Sequence, residues 1–214
     1  MAPQALTTWI NKIAPDVRGC PNPVIKDEVL WTARDFCKET QLLIEELTAI
    51  DVVEDQAEYT LAPTGGEIVA IDHVEFDEVR ILPVTIEYMD KTFSQWRTTT
   101  TTTPMHFLSD YYNKIRLVFI PEDDLTAGLV VWVSIKPLKT ATTLDAFLYD
   151  NHFETLADGA RARIMAMPKR PWTDAAQSSL YQAKYEMARD AAKLFRHTGH
   201  VNMGCRINLR GFAL

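Results

Sequence analysis

The chain has 214 residues, the size of one domain or of one domain with an insertion. Hydrophobic residues make up 47% of it and charged residues 24%, a composition that excludes a disordered protein. The formal net charge of −7 argues against a dedicated nucleic-acid binder, which carries a basic face. It does not exclude a protein that lines a DNA passage, because an acidic wall repels phosphates and discourages sticking.

The cysteine spacing and the apolar runs indicate whether the protein has disulfides, a zinc site, a secretion signal or a membrane helix. Cys20, Cys37 and Cys205 are widely spaced and form no CxxC or Cys/His ligand pattern, so we expect reduced thiols and no structural zinc site. The N-terminal residues lack a basic start followed by an apolar run, so we expect no secretion signal. No apolar run approaches the roughly 20 residues of a membrane helix.

The first 50 residues are predicted to be helical. The apolar spacing predicts a short helix over residues 4–13 and a longer one over residues 24–47, separated by a break that contains Pro15, Gly19, Pro21 and Pro23. Cys37 falls on the apolar face of the longer helix, which indicates a small core residue and not a reactive thiol.

The period changes at residue 51. Segments rich in valine, isoleucine and tyrosine, bounded by proline and glycine, predict strands over residues 58–61, 67–76, 79–88, 114–120 and 129–136. Between the third and fourth strands, the six threonines of Thr98–Thr103 have no apolar alternation to fix a register, so a loop is predicted there, mobile or held by a neighbour.

After Pro137 the chain is predicted to turn helical again. Thr142 or Thr143 can cap a helix, and the prolines at 168 and 171 separate it from a last helix over residues 172–198, which makes an antiparallel hairpin. The last helix carries an apolar stripe that we predict to face the core: Ala176, Leu180, Ala183, Met187, Ala191 and Leu194. Tyr181, Tyr185 and Phe195 lie beside this stripe and are predicted to contact a second partner, such as another subunit.

Together these elements predict an α+β fold. A helix bundle, made of N-terminal helices and a C-terminal helical hairpin, holds an inserted small antiparallel β-sheet or sandwich and ends in an extended C-terminal tail. The corresponding segments are residues 1–50 for the N-terminal helices, 51–140 for the β-rich insertion, 141–199 for the hairpin and 200–214 for the tail.

No catalytic motif is found, so no catalytic residue, cofactor or metal ligand is assigned. The chain has no P-loop, GxGxxG, HExxH or GxSxG pattern. The densest polar cluster, Asp72 to Glu78, leaves a metal-dependent enzyme as an alternative, although Asp72 and His73 point to opposite faces of a strand. Trp96 and Trp132 leave a carbohydrate-binding sheet as another.

One compact basic group stands near the start of the hairpin turn. It consists of Arg161, Arg163, Lys169 and Arg170. Such a group suits phosphate or an acidic partner, or it is a solvated helix end.

The order of the elements and several short segments resemble one protein family. The most telling segments are DFCKET, YTLAP, KIRLVFIP and GARARIMAMPKRPW, the last followed by a long alanine-rich helix. Over about residues 27–199 the chain resembles the head-to-tail adaptor (connector, head-completion) proteins of tailed bacteriophages, including the tail-tubular adaptors of short-tailed phages.

The resemblance implies a non-enzymatic virion protein at the head–tail junction. It implies a homo-oligomeric ring, expected to be a dodecamer, that binds the portal protein and a tail or nozzle protein and lets genomic DNA pass without sequence-specific binding. A tail-terminator or other minor virion protein is the alternative. The ring-interface candidates are Tyr181, Tyr185, Phe195, Arg161 and Arg163. The expected portal contacts in the tail are Arg206, Asn208, Leu209, Arg210, Phe212 and Leu214.

Overall fold

The helices and strands form the α+β arrangement that the sequence predicts. The computed structural model describes residues 3–111 and 113–198. Within this part of the chain, the helices are α1 (Leu6–Ile13), α2 (Asn22–Thr40), α3 (Ile86–Thr92), α4 (Ala146–Met165) and α5 (Ala175–Thr198). None of these helices is long and apolar enough to cross a membrane.

The strands of the described residues are mostly short. They are β1 (Gln4–Ala5), β2 (Ile44–Glu46), β3 (Ile50–Val52), β4 (Glu58–Thr60), β5 (Glu67–Phe76), β6 (Val79–Arg80), β7 (Leu82–Pro83), β8 (Thr100–Thr101), β9 (His106–Tyr111), β10 (Lys114–Val118), β11 (Ile120–Pro121), β12 (Leu125–Lys136) and β13 (Thr143–Leu144).

The helical bundle consists of α1, α2, α4 and α5 around one apolar core. In α1 the buried residues Leu6, Trp9, Ile10 and Ile13 recur at helical spacing, so one face of the helix is apolar. Trp9 is fully buried, with ring centroids 5.3 Å from Tyr149 and 5.0 Å from Phe153. These aromatic contacts hold the first helix against α4, the first helix of the C-terminal hairpin.

The β-rich segment contains two larger sheets. One has the strand order β2-β12-β5-β6, with β3 also paired to β12, and the other has the order β4-β10-β9-β7. Leu129, Val131, Val133 and Ile135 alternate along β12 and are buried in a second apolar core. Alternation places these four side chains on one face, which is why a single strand can organise the sheet.

Charged side chains connect the bundle to the sheets. Arg34 of α2, only 5% exposed, donates two hydrogen bonds to the Glu67 carboxylate of β5, at 3.1 and 2.9 Å, and another to the Pro137 carbonyl. Arg196 of α5 donates from Nη2 to Asp72 Oδ1 at 2.7 Å and from Nε to the Gln41 carbonyl at 2.8 Å. A buried guanidinium needs such partners, because an unpaired charge in the interior is costly.

Two sequence predictions around the sheets are wrong. The helix predicted over residues 24–47 ends at Thr40, because Gln41 is left-handed with φ 53°, and Ile44–Glu46 then pairs with β12. The strand predicted over residues 79–88 stops at Pro83, where the Thr85 hydroxyl accepts a hydrogen bond from the Tyr88 amide and begins α3.

The threonine run is partly ordered by pairing, not a uniform loop. Thr100–Thr101 forms β8, which pairs in parallel with Ile120–Pro121, and the Thr100 hydroxyl donates to Glu122 at 2.6 Å. The hydroxyls of Thr98 and Thr99 both donate to the Gln95 carbonyl. The partner that holds the run therefore lies within the chain.

The predicted helix starts of the hairpin shift by a few residues. Asp145, not Thr142 or Thr143, caps α4 by accepting from the Phe147 amide at 2.7 Å. The last helix begins at Ala175 and not at residue 172, and the Asp174 carboxylate accepts from the Gln177 amide at 3.0 Å. Aspartate suits both positions, since its charge also favours the positive end of the helix dipole.

Candidate interaction surfaces

The face of α5 that packs on the bundle contains Tyr185, one of the three aromatic residues that the sequence predicts to contact a partner. Tyr185 is 4% exposed and Ala192 is 7% exposed, and both belong to the bundle core. The Tyr185 hydroxyl donates to Asp35 Oδ2 of α2 at 2.9 Å, and the Ser178 hydroxyl donates to the Ala162 carbonyl of α4 at 2.8 Å. These contacts fix the rotation of α5 about its own axis.

The prediction that the alanine-rich stripe faces the core is therefore wrong. Its three large side chains are strongly exposed, Leu180 at 51%, Met187 at 76% and Leu194 at 65%. Its three alanines are exposed as well. We call Ala176, Leu180, Ala183, Met187, Ala191 and Leu194 the outer stripe of α5.

The ring-interface candidates differ in how much surface they offer. Arg161 is 9% exposed, and it donates to Asp16 at 2.8 Å and to Asp158 at 2.7 Å, so it is an internal ion-pair centre and not part of a solvated basic group. Tyr181 is half-buried beneath it, with the guanidinium carbon 5.6 Å from the ring centroid.

The remaining candidates are divided between the interior and the surface. Tyr185 leaves little area for a neighbour, and burial together with the nearby Asp35 carboxylate raises the pKa of its phenol. Phe195 is 39% exposed, and the Arg163 side chain is 44% exposed beside Glu28, with Nε 3.2 Å from Oε2. The interface role of all five residues stays a prediction.

The predicted portal contacts lie outside the described residues. This holds for Arg206, Asn208, Leu209, Arg210, Phe212 and Leu214, and also for Cys205. Their role stays a prediction. Of the other cysteines, Cys37 is fully buried, and this burial raises the pKa of its thiol to about 12, so it is a core residue.

The acidic cluster at Asp72 to Glu78 is used for internal contacts. Asp72 accepts from Ser134 at 2.7 Å and from Arg196, whereas His73 Nε2 lies 2.7 Å from Glu75 Oε1. Asp77 and Glu78 form the turn into β6, with φ of 48° and 62°. Within residues 3–111 and 113–198 no group of three His, Cys, Asp or Glu side chains is arranged to hold a metal ion.

The two tryptophans considered for carbohydrate binding do not form an open platform. Trp96 is 3% exposed, its indole donates to Asp90 at 2.8 Å, and the guanidinium of Arg97 lies 4.3 Å from its centroid. Trp132 is half-buried, with its ring 4.9 Å from that of His73. Sugar stacking needs an exposed ring face, which the covered Trp96 does not offer.

A second apolar surface lies on the β-rich segment around α3. Five large apolar side chains in and around this helix are 40–67% exposed. They are Leu82, Ile86, Tyr88, Phe93 and Met105. We call these five the α3 surface. Tyr88, Phe93 and Met105 also line a cavity of about 290 Å³. The sequence pattern does not reveal this surface, because residues 79–88 are predicted to be a strand, whereas α3 begins at Ile86.

Comparison with known families identifies the kind of protein. The family model described as SU10 adaptor protein matches residues 4–204. No curated protein matches the chain. Because the match covers far more than half of its length, the chain belongs to the SU10 adaptor protein family, a family of structural phage proteins and not of enzymes.

Proposed function

We propose that the protein is a head-to-tail adaptor, which forms a ring below the portal, joins the portal to the tail and extends the DNA channel. The observation that carries this proposal is the family match together with two separate exposed apolar surfaces, the outer stripe on the bundle and the α3 surface on the β-rich segment. Extended exposed apolar patches mark sites of protein association. A joint between two assemblies needs contacts of this kind on more than one side.

The charge of the chain suits a channel wall. A protein that held DNA would carry a basic face, whereas the net charge here is −7. Acidic walls repel phosphates, so DNA passes during ejection without binding. The family itself supports interaction with other virion proteins, and the proposal adds which ones.

The proposed assembly assigns a task to each segment. The bundle of α1, α2, α4 and α5 forms the ring wall, expected to be twelve-fold as the family resemblance implies. The insertion, residues 51–140, carries the α3 surface towards the tail or nozzle protein. Residues 200–214 reach into the portal, where an apolar anchor such as Phe212 offsets the entropic cost of ordering a chain segment.

Portal binding tests the proposal directly. The full-length protein is mixed with the purified portal protein of the same phage, and co-sedimentation is measured beside a variant that lacks residues 201–214. We expect the full-length chain to sediment with the portal and the truncated chain to stay in the supernatant. Circular dichroism checks that the truncated chain keeps the helical content of the full-length chain.

Two results would count against the proposal. Unchanged portal binding by the truncated chain would remove the tail from the contact. Absence of the protein from the joint below the portal vertex, in a cryo-electron microscopy map of the particle, would reject the adaptor and favour a tail terminator or another minor virion protein.

A further inference from the structure

One segment of the β-rich part, residues 85–98, is attached to the sheet beneath it by very few buried side chains. It contains α3 and the start of the threonine run, and we call it the strap. Only two of its 14 side chains are buried, Met89 at 2% exposure and Trp96 at 3%, and the other twelve are exposed. The strap therefore gains little from burial to offset the entropic cost of ordering its backbone.

The two buried side chains belong to the smallest apolar core of the described residues. Met89 and Trp96 pack there with Leu108 of β9 and Val118 of β10. This core has four buried residues, whereas the bundle core has twenty and the core around β12 has fifteen. Because hydrophobic stabilisation grows with the apolar area buried, the contact under the strap is the weakest of the three.

Packing between the strap and the sheet is also incomplete. The cavity of about 290 Å³ is lined by Met89 and Phe93 on the strap side and by Val118 and Phe119 on the sheet side. Phe93 meets Phe119 edge-on, with ring centroids 5.8 Å apart, but it is 46% exposed. Side chains that line a cavity have fewer protein atoms around them than those of a close-packed core, so they gain less dispersion energy.

Several hydrogen bonds of the strap connect two of its own residues. The Trp96 indole donates to Asp90 at 2.8 Å, and the Trp96 amide donates to the Phe93 carbonyl at 3.2 Å. The Thr98 amide donates to the Gln95 carbonyl at 3.0 Å. Bonds of this kind persist when the strap leaves the sheet, so separation does not strand these polar groups.

We infer that the strap opens from the sheet β4-β10-β9-β7 as one unit while the bundle and both larger sheets stay folded. Proteins open in cooperative units, and the units with few buried apolar contacts open most easily. The strap turns about its two ends, where β7 and β8 each pair by two residues. Opening moves Ile86, Tyr88 and Phe93 of the α3 surface together. The inference rests on the fold and needs neither the ring nor the portal.

Hydrogen exchange measured by mass spectrometry on the full-length protein tests the inference. The peptides must separate α3 from residues 94–98, and α4 and β12 serve as references. Met89→Ala removes one buried side chain of the strap. Leu148→Ala is the matched control, because Leu148 is fully buried in the bundle core. Thermal unfolding by circular dichroism is measured for each variant.

We expect the strap amides of the wild type to exchange about a hundredfold or more faster than those of α4 and β12, relative to their rates in an unfolded chain. Met89→Ala should raise exchange by about tenfold or more, equally in α3 and in residues 94–98, and leave α4, β12 and the melting temperature unchanged. Leu148→Ala should have the opposite pattern, with faster exchange in α4, a lower melting temperature and an unchanged strap.

Four results would overturn the inference. Protection of the wild-type strap equal to that of β12 would mean that the strap does not open separately, and exchange at the unfolded rate would mean that it is not closed. A Met89→Ala protein that does not fold, or that exchanges faster in α4 and β12 as well, would make the strap part of a single cooperative unit. Faster exchange in α3 alone would indicate fraying of one short helix.

Discussion

The substitution Gly159→Ala is a useful test, because helix propensity and the packing around Gly159 predict opposite changes in the free energy of unfolding. Glycine in the middle of a helix is about 1 kcal/mol less favourable than alanine, so helix propensity alone predicts that Gly159→Ala stabilises the protein. In the structure, a Cβ atom at this position would lie 2.5 Å from Thr32 Cγ2 of α2 and 2.8 Å from Tyr185 Cδ2 of α5. Both distances are too short for carbon atoms, so a neighbour must move.

Neither neighbour can move without loss. Thr32 is 1% exposed and branched at Cβ, and Tyr185 is held by its hydrogen bond to Asp35. Overpacking of a well-packed core costs about 1–3 kcal/mol, and a clash with two fixed side chains belongs to the upper end of this range. After subtraction of the gain in propensity, Gly159→Ala should lower the free energy of unfolding by about 2 kcal/mol. For a chain of this length, the melting temperature should fall by about 4–8 °C.

Thermal unfolding followed by circular dichroism, with urea titration as a second measure, checks this value. Ser179→Ala on the exposed side of α5 is the control and should raise the free energy of unfolding by about 0.5 kcal/mol, because no neighbour is displaced. Thr32→Ser removes the Cγ2 atom and should recover part of the loss in the Gly159→Ala background. A Gly159→Ala protein as stable as the wild type would refute the packing argument.

The remaining predictions concern the Tyr185 phenol and the Glu67 carboxylate, each of which is hydrogen-bonded to a side chain of α2. Tyr185→Phe removes the bond to Asp35 and should cost about 1 kcal/mol at neutral pH. Because the folded pKa of this phenol is raised, the contribution is present below its unfolded pKa of about 10 and is lost as the pH rises further, so urea titrations of the two proteins should converge at alkaline pH. A pH-independent difference would contradict this. Hydrogen bonds from Arg34 lower the pKa of Glu67, so Glu67→Gln should cost about 1 kcal/mol at neutral pH, a value reduced for solvent screening because the carboxylate is 37% exposed. This contribution is present above the unfolded pKa of about 4.3 and is lost as the pH falls through the lower folded pKa. If the difference in the free energy of unfolding between the wild type and Glu67→Gln is unchanged at the lowest pH at which both are folded, the ion pair is not the source of that difference.

The sequence predicts best where one local signal acts alone. Val, Ile and Tyr alternation locates β5 and β10 correctly, because a strand with one buried face must alternate. Helical spacing likewise identifies α1 and the start of α2. It does not show that α2 ends at Gln41, since Leu43, Ile44 and Leu47 continue the helical period while the pairing of Ile44 with Ser134 makes it a strand. Here a long-range hydrogen-bond ladder overrides a local preference.

The sequence predicts the candidate surfaces less well than it predicts the helices and strands. In α5, Tyr181, Tyr185, Ala188 and Ala192 have the same three- and four-residue spacing as the outer stripe, so periodicity describes two faces equally well. The α3 surface was hidden by a strand assignment, although Thr85 before Glu87 is a helix-start signal. Neither the exposure of Met187 nor that of Met105 can be read from its neighbours in the chain.

The amino-acid sequence by itself determines that this protein is α+β, with helices at both ends of the described chain and strands between them, because periodicity and turn residues are local properties. It also carries the family pattern that marks a structural phage adaptor. Only the tertiary structure decides which face of α5 is buried, because that depends on Asp35 of α2 and Gly159 of α4, which belong to other helices. Rotation of a helix about its axis is set by the side chains that it meets, and those partners come from other parts of the chain.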